Sequence, residues 1–191
     1  MSRDEVRAHQ RARIFRAMED VMSVNGYADT SVADIIRGAG VSRHTFYELF
    51  SSKQDCFVAS YARRQGALIA RIVEGLPDGA RMDRFALLLR AYLSIIASDP
   101  GRSRLYLVSV YAAGPEAIAR RLELQQEFAD GVAGVVGAQS DQDRFNCWTL
   151  VAAVSMMVTN ALLSDNPDAV RDLYDPVLAM AHRLLPPEGA E

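Results

Sequence analysis

The stretch from Thr30 to Lys53 constrains this chain most. Val32, Ile35 and Ile36 fall at i, i+3 and i+4, which is the spacing of one apolar helix stripe. Thr30 or Ser31 can cap that helix with a side-chain oxygen. Gly38-Ala39-Gly40 stops it, because glycine reaches a left-handed conformation without a Cβ clash. Val41 fills the angle that follows, and Ser42 caps a second helix from Arg43 to Phe50. Phe46, Leu49 and Phe50 are expected to face inward, leaving Arg43, His44, Thr45, Tyr47 and Glu48 outward or at the edge. An ordinary helical hairpin would satisfy the apolar positions alone. The density of caps and glycines, with a polar row at the N-terminal end of the second helix, favours a helix-turn-helix whose recognition helix enters the major groove.

The rest of the chain reads as helix throughout. Ile14, Phe15, Met18, Val21 and Met22 form one stripe of a helix from about Val6 to Asn25, ended by Asn25-Gly26. Lys53 opens a long helix to about Leu76, with Ser51 or Ser52 as its cap. Further helices are expected over Arg81 to Ser98, Arg102 to Ala112, Pro115 to about Gly137, Asp143 to Ser164 and, after Asp165-Asn166-Pro167, to Leu185, where Pro186-Pro187 ends the last one. This gives an all-α chain of about nine helices. Residues 1–52 form a three-helix helix-turn-helix domain, and residues 53–191 a second helical domain for effector binding and dimerisation.

Composition narrows the function. Half of the 191 residues are hydrophobic, enough for a sizeable core, and no apolar run reaches the ~20 residues of a bilayer span. The charged N-terminus lacks a signal peptide's apolar core, so a soluble cytoplasmic protein without membrane attachment is expected. His9, His44 and His182 are scattered, no Glu-x-x-His occurs, and there is no glycine-rich phosphate loop or nucleophile elbow. These absences argue against an enzyme, a metal site or a bound cofactor. Cys56 and Cys147 have no neighbouring cysteine or histidine and read as small buried hydrophobes. The net charge of −3 does not advertise nucleic-acid binding. Residues 1–53 hold 8 basic and 7 acidic side chains, a weak bias of the right sign. Arg3, Arg7 and Arg11 can approach DNA, but their spacing favours a solvated helix face.

The opening stretch resembles the DNA-binding domain of TetR-family transcriptional regulators. The resemblance runs through Asn25-Gly26-Tyr27, Thr30-Ser31-Val32-Ala33-Asp34-Ile35, Gly38-Ala39-Gly40-Val41-Ser42-Arg43, Thr45-Phe46-Tyr47, Phe50 and Lys53, about the first third of the chain. It implies a homodimeric repressor, released from a palindromic double-stranded DNA operator by a small molecule. It also implies DNA contacts at Thr30 or Ser31, Arg43, Thr45, Tyr47 and Lys53. Side-chain chemistry agrees: Arg43 has a bidentate fork for guanine, Thr45 a hydroxyl and a methyl, Tyr47 a hydroxyl for phosphate, and Lys53 a charge at a helix N-terminus. Ser42 and His44 complete the candidate set, with His44 able to donate or accept at a base edge.

Two protomers are expected to meet through the last two helices, where Trp148, Met156 and Met157 lie among the small residues Ala152, Ala153 and Ser155. Tyr92, Tyr106, Tyr111, Phe128 and Trp148 are the aromatic candidates for a largely apolar effector. A helical interaction module or an enzyme without DNA binding is the rival reading.

Overall fold

The computed structural model describes residues 2–185; Pro186 and Pro187 lie outside them. Nine α-helices and no strand occur among the described residues: α1 (Arg3–Asn25), α2 (Val32–Ala39), α3 (Arg43–Leu49), α4 (Lys53–Glu74), α5 (Arg81–Ser98), α6 (Pro100–Leu107), α7 (Pro115–Val135), α8 (Asp141–Leu163) and α9 (Tyr174–Leu184). Contacts divide the chain into two units. One holds Met1–Arg64 with Arg104–Arg121, and the other Gln65–Ser103 with Leu122–Glu191.

In the first unit α1 packs on α2 and α3. It starts at Arg3 rather than near Val6, because Ser2 and Glu5 form a capping box: the Glu5 N–H donates to Ser2 Oγ at 3.1 Å and the Ser2 N–H to Glu5 Oε2 at 2.6 Å. Ser31 and Asp34 repeat the device at α2, and the Ser31 hydrogen bonds hold the Asp34 carboxyl below its usual range. Gly40, at φ 59°, ends α2 in the left-handed region. Ser42 then caps α3, accepting from the Thr45 N–H at 3.0 Å. Ile35, Phe46 and Phe50 are buried as the stripe requires, whereas Val32, Ile36 and Leu49 are only half-buried.

The core of this unit is aromatic. The Phe50 ring lies 5.3 Å from Phe15 and 5.8 Å from Phe46. Phe57 meets Tyr27 at 5.3 Å and Tyr106 at 5.6 Å, and Tyr61 stacks on Tyr106 at 5.3 Å. Cys56 is fully buried beside Met18 Sδ, 3.7 Å away. Burial pushes its thiol from 9.0 up to about 12. The folded state therefore keeps a proton that the unfolded chain releases above pH 9, and this contribution to stability is lost as pH rises from about 9 to 12. Melting temperature is expected to fall across that window, and Cys56→Ala to flatten the decline by up to ~1.4 kcal/mol per pH unit. Thermal melts at pH 8, 9, 10 and 11 check it.

In the second unit α5 buries Phe85, Leu88, Leu89, Tyr92, Leu93 and Ile96, and α9 packs on both α5 and α8. Across the chain, several boundaries depart from the sequence expectation. Helix α6 begins at Pro100, a residue suited to the first turn because its missing N–H has no partner there anyway. It stops at Leu107, and Ser109–Ala113 is a tighter 3-10 turn. The last helix does not start at Pro167: Asn166 Oδ1 accepts the Asp168 N–H at 2.9 Å in an Asx turn, and α9 begins only at Tyr174. Helix α8 buries Cys147, Leu150, Val151, Val154, Val158 and Leu162 on one side. On the other, Phe145, Trp148, Met156 and Leu163 are 44–61% exposed. Apolar on both sides, α8 has the length and composition to cross a membrane. A core helix packed on one side within the fold, as α8 is, passes the same test of length and composition.

Candidate nucleic-acid interface

Helix α3 is short, and its position is fixed from behind. Phe46 points fully inward, so the residues one position to either side of the buried stripe are forced out. Arg43, His44, Tyr47 and Glu48 are all exposed. The Arg43 guanidinium lies over the Tyr47 ring, 5.5 Å from its centre, which pre-orders both side chains on one edge. His44 Nε2 stands 3.5 Å from Glu48 Oε1 across one turn. Thr45 is half-buried, and its hydroxyl pairs with Ser42 Oγ at 2.9 Å. The outcome is a compact row of hydrogen-bonding groups at the N-terminal half of a rigidly backed helix.

Two of the expected contacts are placed differently. Thr30 is only 1% exposed, and its hydroxyl donates to the Gly26 carbonyl at 2.7 Å. It closes the α1–α2 loop and has no free side chain to offer a surface ligand, whereas Ser31 is exposed. Lys53 is also committed. Its Nζ donates to the carbonyls of Tyr27 and Thr30 at 2.8 Å each and lies 4.2 Å from the centre of the Tyr27 ring. Partial burial lowers its pKa, and Asp29 opposes that shift. An ammonium has three donors, so one remains at the start of α4.

The five aromatic effector candidates do not assemble into one pocket within either unit. Tyr106 and Tyr111 belong to the first unit, Tyr92, Phe128 and Trp148 to the second. Tyr106 is 3% exposed, and its hydroxyl is spent inside the first unit. It donates to Glu19 Oε1 at 2.8 Å and lies 2.8 Å from Ser60 Oγ, which itself donates to Glu19 Oε1 at 3.0 Å. Burial, and then the Glu19 charge, push the Tyr106 phenol up. Tyr111 is half exposed under the Arg121 guanidinium, and Trp148 sits on the outer side of α8 against Phe145. Tyr92 and Phe128 do meet, at 5.5 Å. Phe128 also lines an apolar crevice with Ile69, Ile72, Leu88, Gly131 and Val132. Its volume of about 10 Å³ is at the lower limit for a single water.

The polar triad of Glu19, Ser60 and Tyr106 was not anticipated. Its signal was legible, since Glu19 falls four residues after Phe15 and three before Met22, inside the buried stripe of α1.

Residues 14–59, spanning the second half of α1, all of α2 and α3 and the start of α4, match the profile of the bacterial regulatory proteins of the tetR family. This segment is similar to the tetR-family regulatory proteins over about a quarter of the chain.

The chain is 30% identical over 88 residues to the fatty acid metabolism regulator protein of Bacillus subtilis. That alignment covers 46% of this chain and less than half, 45%, of the relative. TetR-type architecture extends further in three dimensions. The fatty acid degradation regulator FadR from Bacillus halodurans superposes with a TM-score of 0.76 at 18% identity, covering 90% of this chain and 93% of that one. FadR from Bacillus subtilis, solved in complex with stearoyl-CoA, gives 0.76 at 19% identity over 88% and 96%. A TetR-family transcriptional regulator from Streptomyces coelicolor gives 0.74 at 19% over 94% and 99%. At these identities the structures establish a shared fold. The relatives are transcriptional regulators and not enzymes.

Proposed function

We propose that this chain is a ligand-responsive, sequence-specific transcriptional repressor that binds a palindromic operator as a homodimer in the cytoplasm. The observation that carries this reading is the exposed row of Arg43, His44 and Tyr47 on a helix backed by fully buried Phe46, within the segment that matches the TetR family. Arg43 addresses guanine O6 and N7, Tyr47 a backbone phosphate, and the remaining Lys53 donor a phosphate at the N-terminus of α4. One such helix reads only a few base pairs, so specificity calls for a second copy. Salt-dependent gel shifts on the DNA upstream of the protein's own coding sequence test it. Absence of sequence-preferring binding defeats it.

The second copy is supplied through α8 and α9. Phe145, Trp148, Met156 and Leu163 recur every three to eight residues along α8 and stay exposed, an apolar strip that a partner's copy of the same strip would cover. Trp148→Glu combined with Met156→Glu is expected to convert the dimer to a monomer at micromolar concentration. Light scattering reads the mass, and a native chain that is already monomeric sinks the dimer.

For the effector we propose a long-chain acyl thioester. Support comes from two relatives, a fatty acid metabolism regulator and a structure holding stearoyl-CoA. The crevice at Ile69, Ile72, Leu88, Phe128, Gly131 and Val132 is apolar but far smaller than an acyl chain, so entry requires these side chains to part. Binding would then favour conformers whose recognition helices are misspaced for the operator, with α4 as the transmitting element. Release of operator DNA by stearoyl-CoA, and not by free coenzyme A, is the test.

A further inference from the structure

The first turns of α1 and the C-terminal end of α3 enclose an open groove of about 170 Å³, lined by Arg3, Val6, Arg7, Gln10, Glu48 and Leu49. Through Glu48 the groove adjoins the exposed edge of the recognition helix. Several other arginines of this unit are committed. Arg11 lies over the rings of Phe15 and Phe50, Arg13 donates to the Gly40 carbonyl, Arg37 pairs with Asp34, and Arg43 lies over Tyr47. Arg3 and Arg7 are exposed and, among the described residues, their side chains make no hydrogen bond, ion pair or ring contact.

Two like charges at i and i+4 on a helix repel each other, by ~0.2–0.5 kcal/mol. This arrangement costs the isolated fold something and returns nothing inside it. Of the acids nearby, Glu48 lines the groove but faces His44 at 3.5 Å, and Glu5 is held in the capping box by the Ser2 N–H.

We infer that Arg3 and Arg7 are a second DNA-contact site, clamping backbone phosphates that flank the bases addressed by α3. Four residues of α-helix separate the two guanidinium stems by ~6 Å, so they can engage neighbouring phosphates on one strand. The planar guanidinium fork suits phosphate oxygens, and Gln10 adds an amide donor at the groove's edge. This assignment rests on the proposed DNA-binding function. Residues 2–9 are all exposed, as the solvated-face reading expects, and the groove sets Arg3 and Arg7 beside the end of α3. A contact of this kind strengthens binding and fixes register without choosing bases.

The test is fluorescence anisotropy of the full chain on operator and scrambled duplexes across 50–200 mM salt. Arg3→Ala with Arg7→Ala is expected to reduce the slope of log K against log salt by ~1.8 per protomer, or ~3.6 for the dimer, which makes the loss roughly 150-fold smaller at the high-salt end than at the low. The loss should be equal on both duplexes, and Arg3→Lys with Arg7→Lys should retain the slope. Arg43→Ala, by contrast, should narrow the ratio between the duplexes. An unchanged slope in the alanine variant overturns the phosphate clamp, as does a loss that follows flanking base composition, the mark of minor-groove reading. A native chain that binds no duplex removes the underlying function instead.

Discussion

A chain carrying Arg43→Ala and Tyr47→Ala is expected to lose operator affinity by roughly 70-fold to 25,000-fold per recognition helix while melting only slightly below the native protein. A bidentate arginine–guanine pair is worth ~1–3 kcal/mol of discrimination, and a hydrogen bond to a charged phosphate adds ~1.5–3 kcal/mol. Both side chains are exposed, and inside the fold they contact each other across the Arg43–Tyr47 ring stack. That stack is worth ~0.5–1 kcal/mol at an exposed site, and the edge contact of Tyr47 with Phe46, at 5.3 Å, adds ~0.5–1.5 kcal/mol, so the cost to folding is modest beside the loss of affinity. The two losses differ in kind. Arg43→Ala alone should relax base preference, whereas Tyr47→Ala alone should weaken binding to all sequences alike. Competition between operator and single-base variants separates them, and a double variant that binds as the native chain does removes α3 from the interface.

The second large effect lies out of reach of DNA. Glu19→Ala is expected to lower unfolding free energy by ~3 kcal/mol. The carboxylate is 6% exposed and accepts from both Ser60 and Tyr106, and hydrogen bonds to a charged group contribute ~1.5–3 kcal/mol each. Relief of the carboxylate's own desolvation offsets part of the sum. Two buried hydroxyls are then left to each other. Tyr106→Phe should cost less, ~1–3 kcal/mol, because Ser60 still serves Glu19. Urea unfolding of both single variants and the double gives their coupling, expected between ~0.5 and 3 kcal/mol. A coupling of zero means the triad does not act as one unit.

Much of this was legible in the residues. The caps at Ser31 and Ser42, the stop at Gly40 and the inward Phe46 follow from local chemistry, which needs only a few neighbouring positions. The capping box at Ser2 and Glu5 was equally local and could have set the start of α1 correctly. Boundaries failed where two local rules competed. Pro167 and Asn166 look like a helix start, yet the Asx turn takes the chain through a further turn before Tyr174.

Residue roles failed where distance mattered. Nothing in the order of residues says that Thr30 turns its hydroxyl back to Gly26, or that Lys53 spends two donors on a loop more than twenty positions away. Tyr106 looked like a ligand-box aromatic because its partner Glu19 is 87 positions distant in sequence.

The triad has a consequence for how such a regulator can be taken apart. The family-defining segment closes within residues 14–59, which invites its use as a portable head. Its interior, however, is completed from Tyr106 on α6, a residue that sequence order would assign to the other half. Cut free at Arg64, the head would carry a buried carboxylate facing vacated space where a phenol and two aromatic contacts had been. Chimaeras that graft this head onto a foreign sensor should fold only when residues 104–121 travel with it.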